Sequence, residues 1–201
     1  MSEKPPLFVD LDGTLVRTDT TVACILAMVD RPLRLVSGLF ALRHGKAAMK
    51  QKIAAAAALE PALLPYNEEL VSLLRQEAAA GRSLVLATGA DRLVAAAVGD
   101  HLGLFDAVLA SDGVVNLTGR AKLEAIRRMI GDRPFAYAGN ERKDLAIWRE
   151  AESAILVNVP ESLRRAVSAT TRIEMIFTPN AGWTTALLRA IRPLRWLNLS
   201  R

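Results

Sequence analysis

The sequence predicts an α/β fold: a doubly wound parallel sheet with helices on both faces and a small helical insertion after the first strand. Three observations predict it. Short, continuous apolar runs alternate with segments of helical periodicity; the first run ends in two carboxylates; and about fifty residues that need no strand separate it from the second. Continuous apolar runs suit strands buried on both faces. Alternation with helices calls for parallel pairing and right-handed crossovers. Ligands in such sheets bind at the carboxyl ends of the strands.

The first strand is Leu7-Phe8-Val9-Asp10-Leu11-Asp12, opening into Gly13-Thr14. Residues 16–65 then read as helical, punctuated by Pro32, Gly38, Gly45 and Pro61. A helix over 66–80 carries Leu70, Leu73 and Leu74 on one face, with Gly81 as its stop. Residues 83–88 form the second strand, ending at Gly89, and 91–102 the next helix. Strands follow at 106–110, 134–138 and 154–159, with helices over 121–130 and 144–151 between them. An edge strand at 173–177 and a closing helix at 184–195 complete the reading. The division is a core of 1–15 and 66–201 with an insertion of 16–65, because 201 residues suit one domain plus a modest insert.

Composition narrows the class. Apolar residues at 51% and charged residues at 23% exclude intrinsic disorder, and a mean hydropathy of +0.21 leaves room for exposed apolar surface. Net charge is +5. Arg31, Arg34, Arg43, Lys46, Lys50 and Lys52, with His44, fill 31–58 without one carboxylate, and Arg189, Arg192, Arg195 and Arg201 do the same at the end. Both runs are either solvated helix faces or anion-facing surfaces. Cys24 is the sole cysteine, which suits a reducing cytoplasmic setting, and His44 and His101 are too scattered for a zinc site. Residues 1–6 do not form a signal peptide. The stretch 23–42 is interrupted by Asp30, Arg31, Pro32, Arg34 and Gly38, short of the ~18 apolar residues of a transmembrane helix, so the chain is not expected to span a bilayer.

Asp10 and Asp12, two apart in a continuing strand, would face one side and repel. A cation beside them resolves this, and Mg2+, which takes hard oxygen ligands and keeps waters that substrate oxygens replace, suits such a seat. The string Asp-x-Asp-Gly-Thr arises by chance in a chain of this length on the order of once in a thousand.

Asp10-Leu11-Asp12-Gly13-Thr14-Leu15 resembles the first signature of haloacid dehalogenase-type (HAD) phosphatases, whose core is a Rossmann-like sheet. Thr88 resembles their second signature, Lys122 after Gly119 their third, and Gly139-Asn140 with Asp144 their fourth, where the family usually has Gly-Asp. The resemblance implies that Asp10 attacks phosphorus and that Asp12 protonates the leaving oxygen and later activates water. It implies that Lys122 and Thr88 stabilise the transferring group and that Gly13, Thr14 and Gly89 line the phosphate. Asp10, Asp12, Asn140 and Asp144 would hold Mg2+, the amide of Asn140 weakening the seat and Asp144 compensating. The second carboxylate, Asp12, separates the phosphatases from the dehalogenase branch.

A narrower resemblance is to the HAD domains fused in front of UbiA-type polyprenyl transferases. It rests on 9–19, on Leu64-Pro65-Tyr66-Asn67-Glu68-Glu69, Leu102-Gly103-Leu104-Phe105-Asp106, Ala110-Ser111-Asp112-Gly113, Tyr137-Ala138-Gly139 and Ile191-Arg192-Pro193-Leu194-Arg195-Trp196-Leu197. The last resembles the approach to the transferase's first membrane helix. The insertion is similar to the helical cap of phosphoserine phosphatase-like members, and its cations suit a phosphorylated small molecule or a lipid phosphate at the inner face of a membrane. The rival readings are a receiver domain, which lacks such an insertion; a catalytically weak domain docked on a prenyl transferase, motivated by Asn140; and a nucleic-acid binder. The last rests on a pI of about 9.8 alone and is set aside.

Overall fold

The computed structural model describes residues 4–27, 45–57 and 59–178. In chain order the elements are β1 (Leu7–Val9), α1 (Thr20–Ala27), α2 (Lys46–Ala57), α3 (Glu68–Ala79), β2 (Leu84–Asp91), α4 (Arg92–Leu102), β3 (Ala107–Ser111) and α5 (Arg120–Ile130). They continue with β4 (Ala136–Gly139), α6 (Leu145–Trp148), β5 (Ser153–Val157), α7 (Glu161–Ser168) and β6 (Arg172–Phe177). All six strands pair in parallel in the order β3-β2-β1-β4-β5-β6.

Period-2 alternation divides the strand residues between two cores. Leu7, Val9, Leu84, Leu86, Ala136, Ala138, Ile155 and Val157 meet Leu70 and Leu74 of α3 and Val94 and Val98 of α4 on one face. Phe8, Val85, Ala87, Tyr137, Ala154 and Leu156 meet Ile126 of α5, Trp148 of α6 and Leu163 and Val167 of α7 on the other. Helices cover both faces because the strands are apolar on both. The chain runs from β1 outward to β3, then returns to β4 on the other side of β1. That reversal opens a crevice at the carboxyl ends of β1 and β4.

The insertion leaves and re-enters the core through a two-stranded neck. Val16 bridges Tyr66 antiparallel, Arg17 N–H donates to Pro65 O, and Asn67 N–H donates to Leu15 O, both at 2.9 Å. Asn67 then caps α3 by accepting from Leu70 N–H, and Gly81, at φ +83, follows the helix end as expected. From the insertion, Cys24, Ile53 and Ala57 are buried in the same cluster as β1 and β2.

Three expectations shift. β1 stops at Val9 instead of reaching Asp12, because Thr14, Leu15 and Val16 N–H groups turn back onto the carbonyls of Leu11, Asp10 and Leu11. β2 runs on to Asp91. The helix expected over 144–151 opens as a 3-10 turn, Arg142–Asp144, before α6. Helix α7 was not anticipated: only Leu163 and Val167 anchor it among charged neighbours, too weak a periodic signal. The closing helix at 184–195 and the cations Arg31, Arg34 and Arg43 lie outside the described residues. Among the described residues, no helix is long and apolar enough to cross a membrane.

Candidate active site

Asp10 is the first residue beyond β1, still held to β4 through its N–H on Ala138 O at 2.9 Å. The turn that follows needs Gly13. Its φ is +75, and a β-carbon there would overlap the side-chain amide of Asn140. This turn also parts the two carboxylates. Asp10 points inward, where its Oδ1 accepts from Lys122 Nζ at 2.7 Å and its Oδ2 lies 3.5 Å from Thr14 Oγ1. Asp12 accepts from Thr20 N–H at 2.7 Å, at the start of α1, where Asp19 also caps Thr21 and Val22. The repulsion expected between them is thus met partly by a lysine and partly by a helix N-terminus.

Lys122 reaches this point from the first turn of α5 with only 4% of its side chain exposed. Its ammonium also donates to Tyr137 OH at 2.8 Å and lies 3.8 Å from Asp144 Oδ1. Tyr137 donates in turn to Asp144 Oδ1 at 3.0 Å, while Asp144 Oδ2 accepts from the N–H groups of Asn140 and Glu141. Burial is the main influence on Asp10, raising its pKa to about 6. Lys122 pulls the other way, and the nearby Asp144 and Asp12 push it up further. Burial likewise raises Asp12, against the hydrogen bond from Thr20.

Asp10, Asp12, Gly89, Lys122 and Asp144 line one cleft of about 90 Å³, together with Asp19, Lys50, Thr118, Gly119, Glu141 and Lys143. Thr88 is not among the lining residues. It is fully buried within β2, and its hydroxyl accepts from Ala90 N–H at 2.9 Å while keeping a proton to donate. Gly13, Thr14 and Asn140 likewise sit beside the cleft without lining it. Gly89 is backed so closely by Thr118 that a β-carbon would collide with its methyl group. Its carbonyl accepts from Ser111 Oγ on β3 at 3.0 Å and from Lys50 Nζ on α2 at 2.8 Å. The insertion is therefore fastened over the cleft.

Sequence reasoning gave no site role to Tyr137, Asp19, Lys50 or Glu141. The one available signal for Tyr137 was its place in a buried strand, where a hydroxyl needs a partner.

The donor set suits a hard cation only in part. Among the described residues, no three Asp, Glu, His or Cys side chains converge to hold a metal. Asn140 Oδ1, however, is buried without a hydrogen-bond partner, its side-chain amide lies against Gly13, the residue after Asp12, and burial raises both Asp10 and Asp12. Two acids and one neutral carbonyl oxygen fit a divalent cation that keeps several waters.

Residues 7–149 match the family described as haloacid dehalogenase-like hydrolase. The chain belongs to that family. The chain is 37% identical over 155 residues to the uncharacterized protein y4nM of Sinorhizobium fredii, an alignment that covers 77% of this chain and 30% of that protein. This chain thus spans about 30% of that relative's length. Its fold is similar to that of a Bordetella pertussis Tohama I protein of unknown function, with a TM-score of 0.64 and 17% identity over 86% of this chain and 98% of the other. It is also similar to a substrate-bound phosphoserine phosphatase, with a TM-score of 0.59 and 16% identity over 96% of this chain and all of the other, 100%.

Proposed function

We propose that this hydrolase cleaves phosphomonoesters with Mg2+, through an aspartyl-phosphate on Asp10. The observation that carries the reading is the buried contact of 2.7 Å between Asp10 Oδ1 and Lys122 Nζ at the crevice where the sheet reverses. A carboxylate can attack an anionic phosphoryl group only if positive charge is built in beside it, and Lys122 supplies that charge in a water-poor site. Asp10 attacks phosphorus, the bond to the leaving oxygen breaks, and Asp12 gives that oxygen its proton. Asp12 then takes a proton from the water that attacks the acyl phosphate, which frees phosphate and restores Asp10. A pKa raised by burial suits Asp12 to carrying that proton. Thr88 keeps a hydroxyl proton for a phosphoryl oxygen, and Gly13, Thr14 and Gly89 shape the backbone around the group.

Asp10, Asp12 and the free Oδ1 of Asn140 would hold the metal, which supplies charge neutralisation between the two anions. Asp144, with both oxygens already accepting hydrogen bonds, supports this seat through Asn140 N–H and Tyr137 OH. We further propose that 16–65 acts as a cap. The neck at Val16 and Tyr66 is its hinge, and Lys50 on Gly89 O is its clasp. The substrate is a phosphorylated small molecule or a lipid phosphate, the latter favoured by the basic run. A transferase partner and a place at a membrane's inner face rest on the sequence resemblance alone.

Two observations favour a second reading, a catalytically weak domain that docks on a larger protein. Asn140 stands where the family carries an acid, and y4nM is much longer than this chain. One experiment separates the two: turnover of a panel of sugar, nucleotide and lipid phosphates with Mg2+ present or chelated. Mg2+-dependent turnover lost in Asp10→Asn supports the hydrolase. A wild type with no more turnover than Asp10→Asn supports the docking domain.

A further inference from the structure

We infer that Tyr137 is a positioning residue that keeps the Lys122 ammonium on Asp10 and off Asp144. The inference rests on the phosphohydrolase reading for its catalytic consequence, and on geometry for the rest. An ammonium has three protons and no lone pair, so Tyr137 OH can only accept from Lys122 Nζ, at 2.8 Å. The hydroxyl's single proton then has one recipient within reach, Asp144 Oδ1 at 3.0 Å. Asp144 Oδ2 is fixed by Asn140 and Glu141 N–H groups at 3.2 and 3.0 Å. The chain of donors therefore runs one way, from Lys122 through Tyr137 to Asp144.

Asp10 and Asp144 carry the same charge and compete for one buried cation. The outcome is unequal, 2.7 Å to Asp10 against 3.8 Å to Asp144. Tyr137 OH bridges the ammonium and Asp144 from one side. It satisfies Asp144 with a hydroxyl proton, so the direct ionic contact falls to Asp10. The ring that holds this hydroxyl has little freedom: it is fully buried, packs edge-on against Trp148 at 6.1 Å, and its own carbonyl accepts from Trp148 Nε1 at 3.2 Å. Without the hydroxyl, Lys122 would sag toward Asp144. A displacement of about 1 Å at a reacting centre costs up to a hundredfold in rate.

The test is Tyr137→Phe, which keeps the ring and removes the hydroxyl. Turnover of p-nitrophenyl phosphate with Mg2+ should show kcat lower by about tenfold to a hundredfold with KM within about twofold of wild type. In 15N-lysine spectra, the Lys122 ammonium protons should be slowly exchanging in wild type and shifted or lost in Tyr137→Phe. An unchanged kcat in an active enzyme overturns the inference, and so does a Lys122 resonance identical in both proteins. If the wild type turns nothing over, the hydrolase reading fails and the Lys122 resonance alone judges Tyr137. If Tyr137→Phe does not fold, the wild-type spectrum decides: a rapidly exchanging Lys122 ammonium with no contact to the tyrosine hydroxyl proton overturns the inference.

Discussion

Two ion networks are buried at opposite ends of the same sheet. At the amino ends of the strands, Arg82 is held with its side chain 1% exposed between Glu77 and Glu174, and its Nε donates to Pro5 O at 2.8 Å. Lys4 and Arg172 add further positive charge, and Ser153 Oγ donates to Glu174 at 2.5 Å. At the carboxyl ends, Asp10 and Asp144 face one buried cation, Lys122, at 2.7 and 3.8 Å, while Asp12 accepts from Thr20 N–H. Burial alone would raise Glu174, but hydrogen bonds from Arg82 and Ser153 outweigh it and hold the carboxyl below its ordinary value. Asp10 goes the other way, up to about 6. One end has its acids satisfied from within the chain, whereas the other is short of positive charge, as a site awaiting a cation would be.

The comparison is sharpened most by removing the central cation from each end. Lys122→Met should lower kcat by about a hundredfold to a thousandfold, as expected when an oriented positive group leaves a reacting anion. Its thermal stability should fall less than the rate does, because a carboxyl already raised to about 6 takes up a proton readily in place of the lost partner. Steady-state kinetics beside a melting curve reads both. Arg82→Met should do the reverse: kcat near wild type, and stability down by about 3 kcal/mol, the low end for a broken buried pair because Glu77 and Glu174 keep 12% and 19% of their side-chain surface. Urea unfolding at neutral pH measures it. Equal losses of stability in the two variants would erase the contrast.

A smaller effect probes the deficit itself. Asn140→Asp turns the amide whose buried Oδ1 now lacks a partner into a carboxylate. Mg2+ affinity by calorimetry should rise about tenfold, about 1.4 kcal/mol, through the added charge on a hard-cation seat. An unchanged affinity would mean that the Asn140 carbonyl does not face the metal.

What the sequence revealed of this end was residue type and spacing. Asp10 and Asp12 were legible as two acids two apart at the end of a strand, and Lys122, at a helix start, only through the resemblance to the third signature of haloacid dehalogenase-type phosphatases. Their orientations were not. That Asp12 turns to Thr20 N–H depends on β1 stopping at Val9, and that Thr88 faces Ala90 N–H goes with the shift in strand register between Ala87 and Asp91. Lys50 lay unmarked within a run of cations, because only the packing of α2 brings its ammonium to Gly89 O. Tyr137 reads as a core residue until β4 sets it beside α5. The parallel sheet and its two apolar faces followed from alternation, while the strand order and α7, with two anchors, did not.

The smallest effect tests the satisfied end by pH. Glu174 has its folded pKa depressed, so its contribution is fully present above the unfolded value and is lost as pH falls through the lower folded value. Wild-type stability should therefore decline with acid from about pH 5 downward, since unperturbed glutamate titrates near pH ~4.3. Glu174→Gln should be less stable at pH 7 by under about 1 kcal/mol, because the group is partly exposed and screened. The difference should close toward pH 3, where the wild-type carboxyl is itself protonated. A difference of the same size at both pH values would assign Glu174 to packing and to its contact with Ser153, leaving Arg82 and Glu77 as the ionic part of that end.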